Sequence, residues 1–449
     1  MLSKFKVSNY LSFDEEQVLS MGAGKVRNNI ERVYTEAGQK LLKFMAIYGS
    51  NASGKSNLVN AFSFAQAAIT MGFPKGANSE YCRLRDENKN RPSIFEFTII
   101  INGDEYIYGF ELIISEGRFL KEYLMRVRTQ TVKTIFLRDI ELGTYTVDAY
   151  FKDVAINERL RIYAEDVKND GTILFLRLMN QNKDSLYKEE TEIGLFRKIY
   201  NWFRYDLSVN YPDKPITSYS YLMDSEAVDK IGALFAKFGT GVSKFDLAEV
   251  PFDKISAQIP KSILDKIAEE LNEHKNNRKG DSEKPGPSIM IRSSDNSMFL
   301  IQLAGDELIC RTLVFQHAHT DAVFSAEEES DGTVRLLDLI EILLSKAKNK
   351  VYIVDEINRR FHPLLTYAFV EQYLKVASER NIQLIVTTHE SKIMDLDLLR
   401  KDEICFVDKN PDGKSTIFYL DSFNDRFDKK IAKAYLKGNY GAIPKFSFE

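Results

Sequence analysis

The chain has 449 residues, 44% of them hydrophobic and 28% charged, which is ordinary for a soluble globular protein with two or three lobes. Its formal net charge of −4 excludes a strong overall attraction to nucleic acid or to an anionic membrane. It contains no stretch near the roughly 18 uninterrupted apolar residues of a membrane span, no signal-peptide core and no CxxC pair, so we expect a cytoplasmic protein without a membrane partner.

Strand patterns dominate the first 150 residues. Leu2, Phe5 and Val7 alternate as in a half-buried strand. The segment 93–114 contains two β-rich runs joined by Asn102-Gly103, a dipeptide that strongly favours a tight hairpin turn. We predict that residues 1–150 form the N-terminal lobe of a nucleotide-binding domain, because a phosphate-binding motif lies within them.

That motif is a glycine-rich loop between a strand and a helix. The apolar run 45–48 is followed by GSNASGKSN, in which Lys55 and Ser56 come directly after the second of two spaced glycines. In phosphate loops the glycines let backbone N–H groups converge on a phosphate, the lysine reaches the β- and γ-phosphates, and the hydroxyl binds Mg²⁺. Apolar residues then recur at helical spacing from Leu58 to Ile69, and a helix N-terminus favours phosphate.

A chance match in a turn of small residues is the alternative, but strand, loop and helix occur in the required order. We therefore predict that Ser56 is a ligand of Mg²⁺ and that the following residues bind the nucleotide: Gly49, Ser50, Asn51, Ala52, Ser53, Gly54, Lys55, Ser56 and Asn57.

Helical patterns dominate the middle of the chain. Apolar stripes at helical spacing occur in 173–182, 192–204, 225–238 and 261–274. The polar stretch 276–287 is rich in Gly and Pro and predicts a loop, after which strand patterns return. We therefore predict a helical insertion over 151–285 and a C-terminal lobe over 286–449.

Two features precede the next motif. His317, His319 and Asp321 alternate along an apparent strand, which suggests a metal site, although one polar strand face is the more ordinary interpretation. Ser330 then begins a helix with apolar residues as far as Leu344. Serine is a favoured N-cap, so the simplest interpretation is a capped core helix.

Two carboxylates end an apolar strand at 351–354. Asp355 is placed to hold Mg²⁺ through water, and Glu356 is placed to polarise an attacking water as a general base. An exposed acidic turn after a buried strand is the alternative.

A second buried strand at 383–388 ends at His389, with a helical stretch at 363–379 between the two strands. Such a strand–helix–strand unit brings both strand ends to the same crevice. We predict that His389 contacts the γ-phosphate and that Glu356, His389 and Lys55 are the catalytic residues, with Ser56 and Asp355 as the metal ligands.

These motifs resemble the SMC- and RecF-like branch of ABC ATPases, and in particular the compact bacterial group that includes RloA- and AbiL-type proteins. The ATPase half of OLD nucleases and the AriA subunit of PARIS defence systems are similar as well. The resemblance is carried by both ends of the chain and hardly at all by the middle. The segments that carry it are KFKVSNYLSF, GSNASGKSN, ESDGTVRLLDL, VDEINRRFHPLL, TTHE and YLKGNYGAIPKF.

The resemblance implies an α/β fold of the ABC type with a helical insertion, and ATP and Mg²⁺ as ligands. In that family the helix start at Ser330 and Gly332 is the signature motif, which binds the γ-phosphate of a nucleotide held by a second copy. It further implies a homodimer closed around ATP, from which higher oligomers can be built, and a role in anti-phage defence beside a separately encoded nuclease or toxin.

The chain departs from this group at two places. Arg359 and Arg360 stand where a small residue is common, which offers two cations near a phosphate. No acidic cluster of the Toprim nuclease type follows His389, so we expect the nuclease or toxin to be a separate protein. The glutamine that commonly follows the first lobe is not identifiable.

Two outputs of the ATPase remain open. One is a defence switch that controls an effector, and the other is a DNA-repair ATPase that clamps DNA. The missing coiled-coil arms and the acidic balance disfavour the clamp. Five lysines surround the C-terminal helix that ends at Gly438, and they form either a solvated face or part of an effector-docking surface: Lys429, Lys430, Lys433, Lys437 and Lys445.

Overall fold

The computed structural model describes residues 1–36, 38–128, 131–147, 151–187, 191–212, 225–251, 255–256, 258–277, 288–293, 296–304, 307–344, 347–423 and 431–444. Two compact units are present. Unit 1 comprises Met1–Pro212, Ala347–Arg359 and Val370–Glu449, and unit 2 comprises Asp213–Lys346 and Arg360–Phe369. The predicted boundaries near 150 and 285 stay predictions, and most of the predicted loop at 276–287 lies outside the described residues.

The described strands are, in chain order, β1 (Leu2–Ser8), β2 (Gln17–Ser20), β3 (Val33–Glu36), β4 (Gln39–Leu42), β5 (Phe44–Tyr48), β6 (Ser93–Ile101), β7 (Asp104–Ile113), β8 (Arg118–Arg128), β9 (Thr131–Asp139), β10 (Thr144–Thr146), β11 (Leu207–Asn210), β12 (Val242–Glu249), β13 (Ser288–Arg292), β14 (Met298–Ala304), β15 (Glu307–His317), β16 (Val323–Ser325), β17 (Val351–Val354), β18 (Gln383–Thr387), β19 (Ile404–Lys409) and β20 (Ser415–Tyr419).

The described helices are α1 (Lys55–Thr70), α2 (Val154–Val167), α3 (Phe175–Leu178), α4 (Gly194–Asn201), α5 (Ser225–Lys237), α6 (Lys261–Asn277), α7 (Asp331–Leu339), α8 (Glu341–Leu344), α9 (Pro363–Glu379) and α10 (Ile431–Leu436). Within the described ranges, none of these helices is both long enough and apolar enough to span a bilayer.

A mostly parallel sheet in unit 1 has the order β11-β17-β18-β5-β19-β20, and only β20 runs antiparallel to its neighbour. Every residue of β5, β17 and β18 is buried. Their uninterrupted apolar sequences suit strands that are covered on both faces. Because parallel strands end at the same edge of a sheet, the segments that follow β5, β17 and β18 meet at one edge.

An antiparallel sheet in unit 1 has the order β10-β9-β8-β7-β6-β1-β2. The predicted first strand and the predicted hairpin are both confirmed, and Asn102 and Gly103 have φ values of 51° and 80°, as a tight hairpin turn requires. Aromatic side chains of this sheet pack on α1, where the rings of Phe5 and Phe62 lie 3.9 Å apart. Helix α1, which follows the phosphate loop, is thereby fixed against a hydrophobic core.

The predicted helix at 173–182 is shorter than expected. It comprises only α3, whose first backbone N–H groups, at Phe175 and Leu176, donate to the buried Glu122 carboxylate. Arg138 pairs with the same carboxylate and also donates to the carbonyl of Val167. This buried ion pair fixes the point at which α3 begins, and no local sequence pattern signals it.

Unit 2 contains a sheet of order β12-β15-β14-β13, with β16 paired to β15. Helix α6 contacts β13 and β14, and Ile267 of α6 shares a buried apolar cluster with Phe299 and Ile301 of β14. The helices predicted at 225–238 and 261–274 are confirmed as α5 and α6, and the predicted strands after residue 287 are confirmed as β13, β14 and β15.

The predicted α/β class is confirmed. In unit 1 a parallel sheet carries the phosphate loop and the Asp-Glu strand, while an antiparallel sheet packs on the helix after that loop. This combination agrees with the ABC-type fold that the resemblance implies.

Candidate functional site

The glycines of the 49–57 loop occupy positions that tolerate no side chain. A Cβ on Gly49 would lie 2.3 Å from the carbonyl oxygen of Val407. Gly54 has a φ of 115°, and a Cβ there would lie 2.3 Å from Ser415 Oγ. Both positions therefore require glycine. At Gly49 a side chain would collide with neighbouring atoms, and at Gly54 it would collide and would also strain the left-handed backbone.

Lys55 folds back over the loop that precedes it. Its Nζ donates to the carbonyl oxygens of Gly49 and Ser50, both at 2.9 Å. Burial lowers the pKa of Lys55 to about 8, although the carboxylates of Asp355 and Glu356 act in the opposite direction. A phosphate would supply the negative charge that this buried ammonium group lacks.

A chain of hydroxyl groups supports the loop. Asn57 Nδ2 donates to Ser12 Oγ at 2.7 Å, Ser12 and Ser415 share a hydrogen bond of 2.7 Å, and Ser415 Oγ donates to the carbonyl of Ser53 at 2.6 Å. Each hydroxyl has one proton and the Ser53 carbonyl can only accept, so the donors run in the order Asn57, Ser12, Ser415. Sequence analysis missed Ser12 and Ser415, because 403 residues separate them and no motif links the two.

Asp355 and Glu356 follow β17 and share one partner. The buried Asp355 accepts a hydrogen bond of 2.5 Å from Thr387 Oγ1, which in turn accepts one of 2.8 Å from the backbone N–H of Glu356. Glu356 has a φ of 48°, a left-handed conformation that costs about 1–3 kcal/mol in a non-glycine residue. Arg359 lies 3.6 Å from the Glu356 carboxylate.

His389 follows β18 and is held through its backbone. Asn358 Oδ1 accepts hydrogen bonds from Thr388 Oγ1 at 3.0 Å and from the N–H of His389 at 3.3 Å. Burial, and then the charge of Lys55, lower the pKa of the His389 imidazole below its ordinary value of 6.5. The ring is therefore neutral at pH 7 and can both donate and accept a hydrogen bond.

One cavity of about 490 Å³ joins these strand ends. It brings together eight of the residues predicted from sequence and one that was missed, Lys409, the last residue of β19. The lining comprises Asn51, Ala52, Gly54, Lys55, Ser56, Asn57, Glu356, His389 and Lys409. Of the other predicted residues, Gly49 and Ser50 supply the carbonyls that hold Lys55, Ser53 is buried within the loop, and Asp355 is buried against Thr387.

The donors at this cavity suit a nucleoside triphosphate with Mg²⁺. The loop backbone and Lys55 could hold phosphate groups, and the hydroxyl of Ser56 could hold Mg²⁺. Asp355 is buried and is not on the cavity lining, so its role as a second Mg²⁺ ligand stays a prediction. Glu356 and the neutral His389 lie on the lining of the same cavity.

In unit 2, Ser330 is the N-cap of α7. Its Oγ accepts a hydrogen bond of 3.1 Å from the N–H of Thr333, so the predicted helix start is confirmed. A Cβ on Gly332 would lie 3.0 Å from the carbonyl oxygen of Arg360, whose side chain lies 3.7 Å from Asp331. A second cavity, of about 640 Å³, is lined in part by these residues together with His362 and Lys237. The signature role of Ser330 and Gly332 stays a prediction.

The alternative metal site on β15 finds no support. The strand ends at His317, so His319 and Asp321 lie in the turn after it and do not continue one strand face. His317 Nε2 instead shares a hydrogen bond of 2.7 Å with Glu329. Across the part of the chain that the structure describes, no three His, Cys, Asp or Glu residues lie close enough together to hold a metal ion.

The C-terminal segment is described only in part. Lys429, Lys430 and Lys445 lie outside the described residues, while Lys433 lies on α10 and Lys437 follows that helix. Gly438 has a φ of 82°, as a glycine that ends a helix often does. The ring of Tyr435 packs on those of Tyr48 and Phe406, so α10 is anchored beside β5 and β19.

Comparisons with known proteins identify a family. The family described as "AAA domain, putative AbiEii toxin, Type IV TA system" matches residues 44–209 and 219–395, which together make up more than half of the chain. A comparison with curated proteins finds no match.

Solved structures of SMC heads are among those similar to this chain. One is an SMC head bound to the C-winged helix domain of ScpA, with 14% identity, 93% of this chain and 97% of that chain covered, and a TM-score of 0.45. Another is the SMC head domain from Thermotoga maritima, with 13% identity and a TM-score of 0.37. The match covers 93% of this chain and 98% of that chain.

A third is the SMC head domain with an extended coiled coil bound to the C-terminal domain of ScpA derived from Pyrococcus furiosus, with 16% identity, coverage of 98% and 99%, and a TM-score of 0.40. At these identities and TM-scores, the similarity says nothing about the activity or partners of this chain.

The crowding at Gly54 leads to a test of how tightly the loop is built. We expect Gly54→Ala to lower the free energy of unfolding by about 2–5 kcal/mol, since it adds a collision with Ser415 to the strain of a left-handed conformation. Gly76→Ala is the matched control, because Gly76 has a φ of 82° with no neighbouring atom within 4 Å of the added Cβ. That variant should lose only about 1–2 kcal/mol. Urea denaturation of both variants makes the comparison, and equal losses would contradict the inferred crowding.

Proposed function

This chain belongs to the family of AAA domains described as "putative AbiEii toxin, Type IV TA system", and from the composition of its strand-end cavity we propose that it binds and hydrolyses ATP. The observation that carries the proposal is that Lys55, Glu356 and His389, from the segments that follow three parallel strands, line one cavity of about 490 Å³. A carboxylate at a strand end next to a phosphate loop is suited to activate water for hydrolysis of a phosphoanhydride.

Each side chain has a distinct task in this proposal. The loop N–H groups and Lys55 bind the phosphates, while Ser56 and Asp355 hold Mg²⁺, which neutralises phosphate charge when bound. Glu356 accepts a proton from the attacking water as the general base. The neutral imidazole of His389 orients the γ-phosphate by a hydrogen bond.

The lowered pKa of Lys55 gives the binding step a pH dependence. Below pH 8 the ammonium group already carries its charge in the ligand-free protein. As the pH rises through about 8, a growing fraction of Lys55 loses its proton, and phosphate binding to that fraction must be accompanied by proton uptake. Affinity for the nucleotide should therefore fall as the pH rises through 8.

The helix start in unit 2 supports an assembly proposal. Ser330, Asp331 and Gly332, at the start of α7, line a cavity together with Arg360, and the N-terminus of a helix favours phosphate. We propose that a second copy supplies that phosphate, which gives a homodimer closed around two nucleotides and a basis for higher oligomers.

The output proposal is a defence switch that controls a separate effector, either a nuclease or a toxin. Its support is the resemblance to RloA- and AbiL-type proteins and the family description, which names a toxin of a type IV toxin–antitoxin system. A DNA clamp is less favoured, because clamps depend on many cationic contacts to phosphate and this chain has a net charge of −4. The cytoplasmic location also stays a prediction.

The hydrolysis proposal predicts that two substitutions act differently. Glu356→Gln should lower turnover about 10²–10⁴-fold while ATP still binds, since only the general base is lost. Lys55→Ala should weaken nucleotide binding itself. Steady-state hydrolysis with parallel binding titrations separates the two effects, and Glu371→Gln, an exposed carboxylate on α9, is the control for loss of charge. Turnover at the wild-type rate in Glu356→Gln would remove this residue from the mechanism.

The assembly proposal predicts an ATP-dependent dimer. ATP should stabilise the dimer most in Glu356→Gln, where slow hydrolysis preserves the bound nucleotide. Adding Ser330→Arg should keep the protein monomeric by steric and charge repulsion, without loss of nucleotide binding to the monomer. Ser378→Arg adds the same charge at an exposed position on α9 and should still dimerise. Light scattering with and without ATP measures this, and a monomer saturated with ATP at micromolar concentration would count against the sandwich.

The output proposal predicts a protein partner whose association depends on nucleotide. Co-expression with the product of the neighbouring gene, followed by pull-down with and without ATP, should retain that protein in one nucleotide state only. The Lys55→Ala variant should lose the dependence on ATP. Tight binding of duplex DNA at physiological salt, without a retained protein, would replace the defence switch with the DNA clamp.

A further inference from the structure

One buried hydroxyl group connects the two strand ends that carry the carboxylates and His389. Thr387 is the last residue of β18, and only 1% of it is exposed. Its Oγ1 lies 2.5 Å from Asp355 Oδ1 and 2.8 Å from the backbone nitrogen of Glu356, both of which follow the neighbouring strand β17.

The direction of both hydrogen bonds follows from proton counting. The N–H of Glu356 can only donate, so Thr387 Oγ1 accepts that bond. The single hydroxyl proton is then donated to Asp355 Oδ1, and the distance of 2.5 Å is typical of a hydroxyl that donates to a carboxylate. One side chain thus holds the carboxylate of one residue and the backbone of the next.

Glu356 needs such support because of its backbone. Its φ of 48° lies in the left-handed region, which a non-glycine residue keeps only when its surroundings hold it there. Two further bonds tie the same loops together. The N–H of Ile357 donates to the carbonyl of Thr387 at 3.1 Å, and Asn358 accepts from the N–H of His389 at 3.3 Å. The segments after β17 and β18 are therefore cross-connected at successive residues.

We propose that Thr387 is a positioning residue, which sets the direction of the Glu356 side chain through its backbone and fixes the orientation of the Asp355 carboxylate. The hydroxyl acts through these two residues and does not contact the substrate. The proposal rests on the proposed hydrolysis for its functional consequence, while the positioning itself is a property of the ligand-free protein.

Two variants separate the hydroxyl from the volume of the side chain. Thr387→Val keeps the shape and removes both hydrogen bonds, whereas Thr387→Ser keeps the hydroxyl and removes a methyl group. Tyr373→Phe is the matched control, because Tyr373 is fully buried and its hydroxyl donates to the carbonyl of Lys43 beside the amino end of β5. Its oxygen also lies 3.2 Å from the carbonyl oxygen of Ile382, so the variant removes a buried hydrogen bond at the amino ends of β5 and β18 and leaves their carboxyl ends, where the cavity lies, unchanged.

The first measurement is hydrogen exchange at the Glu356 amide in the ligand-free protein, resolved by mass spectrometry with fragmentation. Exchange should be about tenfold faster in Thr387→Val, because the Glu356 N–H loses the hydroxyl that accepts its hydrogen bond. It should be close to the wild-type rate in Thr387→Ser and Tyr373→Phe. The second measurement is steady-state hydrolysis. We expect kcat to fall about 100-fold in Thr387→Val with KM nearly unchanged, and activity to be retained in Thr387→Ser.

The outcomes distinguish this proposal from the proposed function. Unchanged exchange at Glu356 in Thr387→Val would overturn the positioning role, whatever the enzymatic activity of the wild type. Normal kcat in Thr387→Val beside an active wild type would overturn its catalytic consequence and leave ATP hydrolysis standing. Equal losses of kcat in Thr387→Val and Tyr373→Phe would show that Thr387 contributes only to the general stability of the fold. If the wild type did not hydrolyse ATP but exchange at Glu356 were faster in Thr387→Val, the proposed function would be overturned and the positioning role would stand.

Discussion

The parallel pairing of β5 with β18 on one side and β19 on the other is the constraint on which the site depends. Phe44 of β5 pairs with Leu384, and Ala46 pairs with both Val386 and Ile404. With β17 next to β18 in the same direction, this register brings the phosphate loop, the Asp-Glu pair and His389 to one edge of the sheet. A slip of one residue would reverse the faces of each strand and remove the site. Burial of these strands on both sides makes such a slip very unfavourable.

The electrostatics of the edge follow from that enclosure. Burial lowers the pKa of Lys55 to about 8, and burial together with the charge of Lys55 lowers the pKa of His389, so an ammonium group and a neutral imidazole line the same cavity as the side chain of Glu356. In water these groups would be solvated separately, and the phosphate of a ligand would gain little from any one of them. In the partly enclosed cavity each charge acts over a short distance in a medium of lower dielectric. Binding energy is therefore concentrated on the phosphate groups.

Local motifs predicted the parts of the site that lie within a few residues of one another. The phosphate loop, the acidic strand end, the hairpin at Asn102 and the N-cap at Ser330 all have a fixed spacing, because their geometry is local. The roles of Thr387 and Lys409 were missed. Each is the last residue of a strand, and the residues that it contacts depend on which strands pair, which no local motif predicts. The metal hypothesis was wrong because alternate residues share one face of a strand only while the strand continues. The strand β15 ends at His317, before the other two predicted ligands. The predicted start of the helix at 173 was wrong because a carboxylate from a distant strand fixes the start of α3 at Phe175.

The hydroxyl chain from Asn57 through Ser12 to Ser415 has a consequence for synthesis of the protein. A ribosome makes the phosphate loop more than three hundred residues before it makes Ser415 and β19, which support that loop. A nascent chain that ends before β18 and β19 cannot complete the sheet around β5. Contacts of such high sequence separation form late in folding. The cavity can therefore be completed only after β19 and Ser415 have been made, and products that terminate before them carry the motif without the site.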